Sequence, residues 1–352
     1  MTAVEDTPVL ADTPVLADTP ASYTLTADDI AGLEELLESL RDTSGDPTLP
    51  EFYESAWHAP ERIPEGLRRF LQEFARDEGS AACLVHGFPT GDEVGPTPDH
   101  WSSAIEQKST RDHDLYLALC GMVLGEPFGW ATLQKGRLVQ NVLPVAGDEQ
   151  CQSGYGSSAL LEFHTEDGFH PQRCDYLLLL GLRNHDRVPT IVASVRDVRL
   201  DEGDQRLLSE KRFHIFPDDE HIRQLEARDP SHPALCKARR MVSDPEPVAV
   251  LFGDRFSPYL RLDRPFMRCA GDDPAAEAAL DRLMAELQRV QQDVVVGAGS
   301  LLVVDNYRAV HGRRAFRARY DGTDRWLKKL TVSRDLRRNL SDFTAGSHRI
   351  LV

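Results

Sequence analysis

Residues 161–170 read LEFHTEDGFH, and within this stretch His164 and Glu166 form an HxE pair. In an extended strand, residues i and i+2 point to the same face, so an imidazole and a carboxylate at this spacing can reach one metal ion. The pattern therefore predicts that one strand presents both side chains to a metal. HxE pairs also occur by chance, so the prediction requires a further ligand elsewhere in the chain.

A second histidine follows an apolar strand nearer the C-terminus. Residues 301–313 read LLVVDNYRAVHGR, which places His311 at the end of a β segment beside a glycine turn. Two histidines and one carboxylate on one face of an iron ion leave three positions open, as in Fe(II) oxygenases. Those positions accept a bidentate 2-oxo acid and then O2. We therefore expect His164, Glu166 and His311 to bind Fe(II).

An arginine suited to the 2-oxo acid lies 14 residues after His311, in the stretch RYDGTDRWL at 319–327. A guanidinium on the following strand can hold a carboxylate through two parallel hydrogen bonds. Arg325 is thus the candidate anchor for the distal carboxylate of 2-oxoglutarate.

The overall charge narrows the class of partner. The chain has 40 Lys and Arg against 57 Asp and Glu, a net charge of −17, and no basic cluster interleaved with aromatic residues. Such a surface repels phosphate backbones, so we expect no nucleic-acid partner. No apolar run reaches the length of a membrane span, and the N-terminus lacks the pattern of a signal peptide. The sequence predicts a cytoplasmic protein that does not bind membranes.

The N-terminal segment differs from the rest. Residues 7–20 read TPVLADTPVLADTP, a repeat that is rich in proline and has no core pattern. It predicts a disordered tail over 1–25 and a single domain over 26–352. Thr26, with Asp29 three residues later, is a candidate start of the first helix.

Hydrophobic periodicity predicts further helices over 64–77 and 274–291. Short β-type runs bounded by turn residues fill much of the remainder, and no glycine-rich nucleotide-binding motif follows any of them. The predicted strands cover 82–86, 137–142, 177–182, 190–195, 248–251, 300–304 and 327–332. We expect a mainly β fold with flanking helices, built on a jelly-roll, cupin-like core.

Several runs together resemble one family. They are FHTEDGFHPQRCDYLLLLGLRN, VVDNYRAVHGRRAF, RYDGTDRWLKKL, GEPFGWAT at 125–132 and PYLRLD at 258–263. These runs are similar to those of the clavaminate-synthase-like Fe(II)/2-oxoglutarate oxygenases, particularly the arginine 3-hydroxylases of viomycin-type pathways and the asparagine 3-hydroxylases. The similarity extends from about residue 26 to the C-terminus.

The resemblance implies a double-stranded β-helix core and assigns roles to particular residues. It implies that His164, Glu166 and His311 bind iron, that Arg325 and Thr190 hold 2-oxoglutarate, and that O2 is the second cosubstrate. The implied substrate is a small amino acid oxidised at C3 or C4 in natural-product (non-ribosomal peptide) biosynthesis. A carrier protein that delivers a tethered amino acid remains an alternative partner.

Some residues of the implied substrate pocket differ from those at the same positions in these relatives. Asp263 matches the acidic residue that contacts the polar end of the substrate, although it could also cap a turn. Arginine hydroxylases have a second Asp two residues later, where this chain has Pro265. Lys329 stands where relatives place an arginine for the α-carboxylate, and Leu133 stands where they place Gln or Glu near the α-amine. Glu166 and Gln152 complete the candidate substrate contacts.

The missing carboxylate at position 265 affects the expected substrate. One carboxylate can bind a single cation or a neutral urea, whereas a buried guanidinium favours two. Arginine, citrulline or a related residue is therefore expected, with citrulline favoured by Pro265 and with asparagine as the shorter alternative. Hydroxylation and desaturation are both consistent with the motifs.

Two other functional classes stay open. Two histidines and a glutamate can also bind zinc in a hydrolase, but the zincin motif HExxH is absent. A non-catalytic jelly-roll binding module is the other alternative, because the fold alone determines no activity. Such a module would bind neither iron nor 2-oxoglutarate.

Overall fold

Two main β-sheets, two short two-stranded sheets and the helices packed on them form the protein, here described from a computed structural model that covers residues 18–41, 43–339, 342–344 and 347–352. The α-helices are α1 (Ala27–Arg41), α2 (Pro50–Ser55), α3 (Glu65–Asp77), α4 (Trp101–Ile105), α5 (Arg111–Leu124), α6 (Glu202–Leu208), α7 (Asp219–Arg228), α8 (Pro233–Ser243) and α9 (Pro274–Val290). The strands are β1 (Ala21–Thr24), β2 (Ala82–His86), β3 (Glu126–Trp130), β4 (Gln140–Val142), β5 (Leu161–His164), β6 (Tyr176–Arg183), β7 (Thr190–Ser194), β8 (Phe213–Ile215), β9 (Leu251–Gly253), β10 (Pro258–Leu260), β11 (Met267–Cys269), β12 (Gln292–Val294), β13 (Leu301–Asp305), β14 (Ala309–Arg313), β15 (Trp326–Ser333) and β16 (Ile350–Leu351).

The two main sheets face each other. The larger has the order β1-β2-β13-β6-β15-β3-β16, with β4 also paired to β15, and the smaller has the order β12-β7-β14-β5. Apolar side chains from both sheets fill the space between them, among them Leu179, Val192, Leu302, Ala309 and Leu327. This sandwich of mostly antiparallel strands confirms the predicted mainly β fold with a jelly-roll core.

Helices cover the outer faces of the sandwich. On the larger sheet, α1, α3 and α5 bury leucine and aromatic side chains against β2, β6 and β13. On the smaller sheet, α9 packs its buried face, including Leu283 and Leu287, against apolar residues such as Ile191. The sheets are therefore enclosed on both sides, which leaves the ends of the sandwich as the places where a pocket can open.

The first helix begins as predicted. The Thr26 hydroxyl accepts a hydrogen bond from the Asp29 amide at 3.1 Å, and the Asp29 carboxylate accepts one from the Thr26 amide at 2.9 Å. This reciprocal capping satisfies two amides that would otherwise lack partners at the helix start. The predicted helices over 64–77 and 274–291 correspond to α3 and α9.

The chain before residue 26 contains more structure than expected. Residues 1–17 of the predicted tail lie outside the described residues, but β1 pairs in parallel with β2, from Ala21 opposite Cys83 to Thr24 opposite His86. The assignment of residues 21–24 to the tail was therefore wrong, because backbone pairing to a sheet edge needs no apolar pattern of its own. Within the described chain, no helix combines the length and apolar character needed to cross a bilayer.

Candidate active site

A pocket lies between the two sheets. The smaller sheet contributes residues of β5, β7 and β14 to its lining, the larger sheet contributes β6 and β15, and the segment leading into α7 covers one side. The candidate residues Leu133, Gln152, His164, Glu166, Thr190, Asp263, His311, Arg325 and Lys329 all line this pocket. The structure therefore brings every predicted site residue to one place.

The two histidines face each other on neighbouring strands. His164 ends β5 and lies directly opposite His311 of the antiparallel strand β14, and the ring centroids are 4.2 Å apart. His311 lies inside β14 rather than at a glycine turn, so that part of the prediction was wrong. The following Gly312 is in the strand, and a Cβ there would lie 2.4 Å from the Leu161 carbonyl oxygen. Only glycine permits β5 and β14 to approach so closely beside His311.

Glu166 reaches the histidines from a turn, not from the strand. Strand β5 ends at His164, and the turn that follows carries Glu166 and then Asp167, whose φ is +52°. Asn306 holds this turn, since its side chain accepts from the Glu166 amide at 2.6 Å and donates to the Glu166 carbonyl at 3.0 Å. The predicted alternation along one strand was wrong, although the predicted convergence is present.

The three side chains form a compact set of donor atoms. One ligand atom from each of His164, Glu166 and His311 lies within 4.8 Å of the others, and His311 Nε2 is 3.4 Å from Glu166 Oε2. His164 Nδ1 lies 2.9 Å from the Glu162 carbonyl oxygen, which can only accept. That contact requires a proton on Nδ1, so the lone pair of Nε2 is available to a metal.

Protonation also suits metal binding. Burial lowers the pKa of His164 to about 4, and the neighbouring His311 adds to this effect, so the imidazole is neutral at physiological pH. Burial alone would raise the pKa of Glu166, but the Lys329 ammonium and the His311 ring hold it well below its usual range. A neutral imidazole and an ionised carboxylate are the forms that bind metals.

Arg325 is a buried cation whose guanidinium forms few hydrogen bonds among the described residues. It directly precedes β15, is 7% exposed, and donates from Nη2 to the Thr190 hydroxyl at 3.1 Å, while its Nε has no partner among the described residues. Burial lowers its pKa to about 9, and the guanidinium of Arg313 contributes to this shift. A buried, incompletely bonded guanidinium is stabilised when an anion binds beside it.

Some of the candidate substrate-binding side chains already form hydrogen bonds within the protein. Lys329 Nζ lies 2.6 Å from Glu166 Oε1, so it already has one carboxylate partner. Both ends of the Gln152 amide bond the backbone, at Leu160 and Glu162. Asp263 starts the short 3-10 turn Arg264–Phe266 and also lines the pocket, so its turn position and pocket position coexist.

One side of the pocket is acidic, and its residues Asp218 and Glu220 were not predicted from the sequence. Asp218 and Glu220, at the start of α7, line the pocket together with Asp263. No salt bridge pairs Asp218 or Asp263 with a cationic side chain in the described part of the chain. Burial and the neighbouring carboxylates of Asp218 and Glu166 raise the pKa of Asp263 well above its usual value, and burial also raises that of Asp218. The run PDDEH signals a helix start, but nothing in it indicates that Asp218 faces a pocket.

Comparisons with known proteins agree with this geometry. Residues 122–331 match the model described as "Taurine catabolism dioxygenase TauD, TfdA family". The enduracididine beta-hydroxylase of Streptomyces hygroscopicus is 37% identical over 340 residues, which cover 93% of this chain and 98% of that protein. The L-ornithine/L-arginine 3-hydroxylase of Catenulispora acidiphila is 37% identical over 337 residues, with coverages of 93% and 98%.

A solved structure supports the same relationship. The non-haem iron oxygenase OrfP, crystallised with Fe, succinate and (3S)-hydroxy-L-Arg, superposes with a TM-score of 0.88 at 38% identity, over 95% of this chain and 100% of that one. These matches confirm the expected resemblance to amino acid hydroxylases and set aside the zinc hydrolase and the binding module. The chain therefore belongs to the TauD/TfdA family of dioxygenases.

Proposed function

We propose that this protein is an Fe(II)- and 2-oxoglutarate-dependent oxygenase that hydroxylates C3 of an L-amino acid with a cationic side chain, in natural-product biosynthesis. The observation that carries the proposal is the division of one pocket into three parts. Two histidines and a carboxylate converge in it, and among the described residues neither the buried guanidinium of Arg325 nor the carboxylates of Asp218 and Asp263 form a salt bridge.

The donor set fits iron. His164, Glu166 and His311 would hold Fe(II) as a facial triad, with His164 bound through Nε2 because its Nδ1 proton is engaged by the Glu162 carbonyl. Iron at this site, with O2 and 2-oxoglutarate, supplies the oxidising power that cleaves the C–H bond. Asn306 and Lys329 keep Glu166 oriented and ionised, which preserves it as a ligand.

The guanidinium side of the pocket fits 2-oxoglutarate. Arg325 would hold the distal carboxylate, with the Thr190 hydroxyl fixing one guanidinium nitrogen. Arg313 lines the same region and is itself held by the carbonyls of Gly156 and Ala159. Two buried guanidinium groups favour a ligand with two negative charges over a monoanion.

The acidic side of the pocket fits a cationic side chain. Asp263 is buried and Asp218 is half-buried, and neither forms a salt bridge with a described residue; burial and the neighbouring Asp218 carboxylate raise the pKa of Asp263. A guanidinium or ammonium beside them would favour the ionised form of both carboxylates. Asp218 thus supplies a second carboxylate despite Pro265, so the argument for a neutral, citrulline-like side chain loses its basis. The substrates named for the relatives, arginine, ornithine and enduracididine, are amino acids of the same basic kind.

The backbone end of the substrate would lie near the metal. Lys329 keeps two hydrogen-bond donors beyond its contact with Glu166, and these would bind the α-carboxylate as a point charge. Leu133 offers no polar group to the α-amine, which leaves Glu166 as the candidate contact for that group. This arrangement would place the C3 hydrogen, rather than the side-chain end, close to the iron.

The test is turnover of a substrate panel by the Fe(II)-loaded protein with 2-oxoglutarate. Succinate formation and the mass of the oxidised amino acid would be followed for arginine, ornithine, lysine, enduracididine, citrulline and asparagine. We expect a product 16 Da heavier from a basic amino acid, with the hydroxyl placed at C3 by NMR, whereas a hydroxyl at C4 would contradict the proposed position. Turnover of asparagine alone, or of no free amino acid, would contradict the proposal.

The same experiment distinguishes three alternative activities from the proposed one. A product 2 Da lighter would identify a desaturase, and hydroxylation of asparagine would identify the shorter substrate. Activity only on an amino acid loaded on a carrier protein would identify the tethered alternative. Action on free amino acids in the cytoplasm is the version we propose, because Lys329 and Asp263 line one pocket and would bind both charged ends of a small zwitterion.

A further inference from the structure

Tyr155 contributes a hydroxyl group to the pocket wall, between Gln134 and α7. The side chain is 6% exposed and its oxygen contacts two amide nitrogens, Gln134 Nε2 at 2.9 Å and Gln224 Nε2 at 3.2 Å. An amide NH2 group can only donate, so the phenol oxygen accepts both hydrogen bonds. The orientation of the two side-chain amides fixes the direction of both hydrogen bonds.

Backbone contacts settle the orientation of Gln134. The Asn141 amide N–H donates to Gln134 Oε1 at 2.9 Å, and Gln134 Nε2 donates to the Asn141 carbonyl at 2.8 Å. If the side-chain amide were reversed, its NH2 group would face the Asn141 N–H and its oxygen would face the Asn141 carbonyl, so neither hydrogen bond could form. Gln134 therefore presents its NH2 group to Tyr155.

The orientation of Gln224 is settled in the same way. The Gln134 amide N–H donates to Gln224 Oε1 at 2.9 Å, and Gln224 Nε2 donates to Glu220 Oε2 at 2.8 Å. Gln224 thus also presents its NH2 group to the phenol. Both acceptor positions of the Tyr155 oxygen are occupied.

The hydroxyl proton of Tyr155 remains without an acceptor among the described residues. Because the oxygen can accept no further bond, this group can only donate, and it excludes the α-ammonium of an amino acid from its vicinity. Lys329 lines the same pocket and its charge acts on the phenol, while burial raises the pKa of Tyr155 to about 12, so the proton is retained. A fixed O–H donor near an ammonium group favours an anionic acceptor.

We infer that Tyr155 is a specificity-determining residue that donates its hydroxyl proton to the α-carboxylate of the substrate, beside Lys329. This inference rests on the proposed function, since it takes the ligand to be an amino acid. Gln134 and Gln224 act as positioning residues that direct the proton into the pocket. The site thereby distinguishes a free carboxylate from an amide or ester at the same position.

The test compares L-arginine with L-argininamide in the wild-type protein and in Tyr155→Phe. We expect the variant to bind L-arginine about tenfold more weakly, since a hydrogen bond to a charged group is lost, and the amide with little change. The preference for the acid over the amide should fall by the same factor in turnover and in calorimetric titration of metal-free protein. The KM for 2-oxoglutarate should not change.

A matched control is Tyr320→Phe, because the Tyr320 hydroxyl donates to Glu149 at 2.8 Å on an exposed part of the protein. It should leave the preference unchanged. If Tyr155→Phe does not fold, Gln224→Glu keeps the tyrosine but offers its proton an acceptor, and it should reduce the preference in the same direction.

The outcomes separate the two proposals. An unchanged acid-to-amide preference in Tyr155→Phe would contradict the inference while leaving the proposed function intact. A raised KM for 2-oxoglutarate instead would show that the hydroxyl serves the cosubstrate, which also contradicts it. A wild-type protein that neither binds nor oxidises any basic amino acid would contradict the proposed function and the inference together.

Discussion

His221 Nε2 lies 3.2 Å from Asp167 Oδ1, which joins α7 to the turn that carries the candidate metal ligand Glu166. The other His221 nitrogen contacts the Thr132 hydroxyl at 2.7 Å, and Trp130 Nε1 donates to the second Asp167 oxygen at 2.6 Å. These buried contacts hold the start of α7, and with it Asp218, against the pocket. These contacts thus connect the turn that carries the candidate metal ligand Glu166 with the acidic side of the pocket.

Replacing His221 should weaken binding of the amino acid more than binding of 2-oxoglutarate. In His221→Leu the start of α7 loses its polar contacts with Asp167 and Thr132, so Asp218 is less well placed. We expect the KM for arginine to rise about tenfold, as for loss of a buried, charged hydrogen bond. Arg239→Gln, which removes only an exposed pair with Glu226, is the control. Equal effects on both substrates would argue against a positioning role.

Removing either histidine of the triad should abolish turnover. In His164→Ala or His311→Ala two ligands remain, and loss of even an outer partner of a metal ligand costs about 10- to 100-fold. We therefore expect activity to fall by more than about a hundredfold, with loss of bound iron measured by metal analysis. Chelator-treated wild-type protein should behave in the same way, and activity retained in either variant would remove that residue from the site.

Replacing Arg325 by leucine should raise the KM for 2-oxoglutarate by about a hundredfold, because a buried bidentate contact to a carboxylate is lost. Two other cationic residues near Arg325 are already paired with carboxylates and are not candidates for binding 2-oxoglutarate. Lys328 is buried against Asp114 on the opposite face of β15, and Arg319 pairs with Asp186 at the surface. Arg319→Gln is therefore the control, and an unchanged KM in Arg325→Leu would point to Arg313 instead.

The acidic side of the pocket predicts a difference between charged and neutral substrates. Asp218→Asn should raise the KM for arginine about tenfold and that for citrulline much less, since only the guanidinium loses an ionic partner. The adjacent, exposed Asp219 provides the control variant Asp219→Asn. Pro265→Asp should improve arginine turnover less than about twofold, because the second carboxylate is already present. A large gain in that variant would mean that Asp218 does not reach the substrate.

A buried ion pair behind the site should contribute to stability. Lys328 Nζ lies 2.9 Å from Asp114 Oδ1, which connects β15 to α5, and both side chains are almost fully buried. Lys328→Met leaves the Asp114 carboxylate unpaired, and we expect the free energy of unfolding to fall by about 3 kcal/mol. The double variant Lys328→Met/Asp114→Leu should regain part of this loss in denaturant titration, whereas an equally unstable double variant would indicate a packing defect.

Local patterns were sufficient for much of the fold. Strand β2 was predicted at its observed bounds because a short apolar run bounded by turn residues is typical of a buried strand. Helices α3 and α9 were predicted within one residue because one-sided burial imprints a period of 3.6 on the sequence. Helix α5 was missed because it is buried on nearly all sides, so its sequence has no polar face to reveal the helical period. The run at 248–251 forms a strand only from Leu251 onwards.

The sequence by itself determined which residues are candidates for the metal and the cosubstrate, since His164, Glu166, His311 and Arg325 each lie in short, recognisable runs. Only the tertiary structure decided how they meet: Glu166 approaches from a turn held by Asn306, and Lys329 pairs with Glu166. It also brought Asp218 beside Asp263, 45 residues away along the chain. The physical reason is that local periodicity records only which face of an element is buried. Contacts between distant segments, and the hydrogen bonds that each side chain has left to give, arise only when the sheets and helices pack.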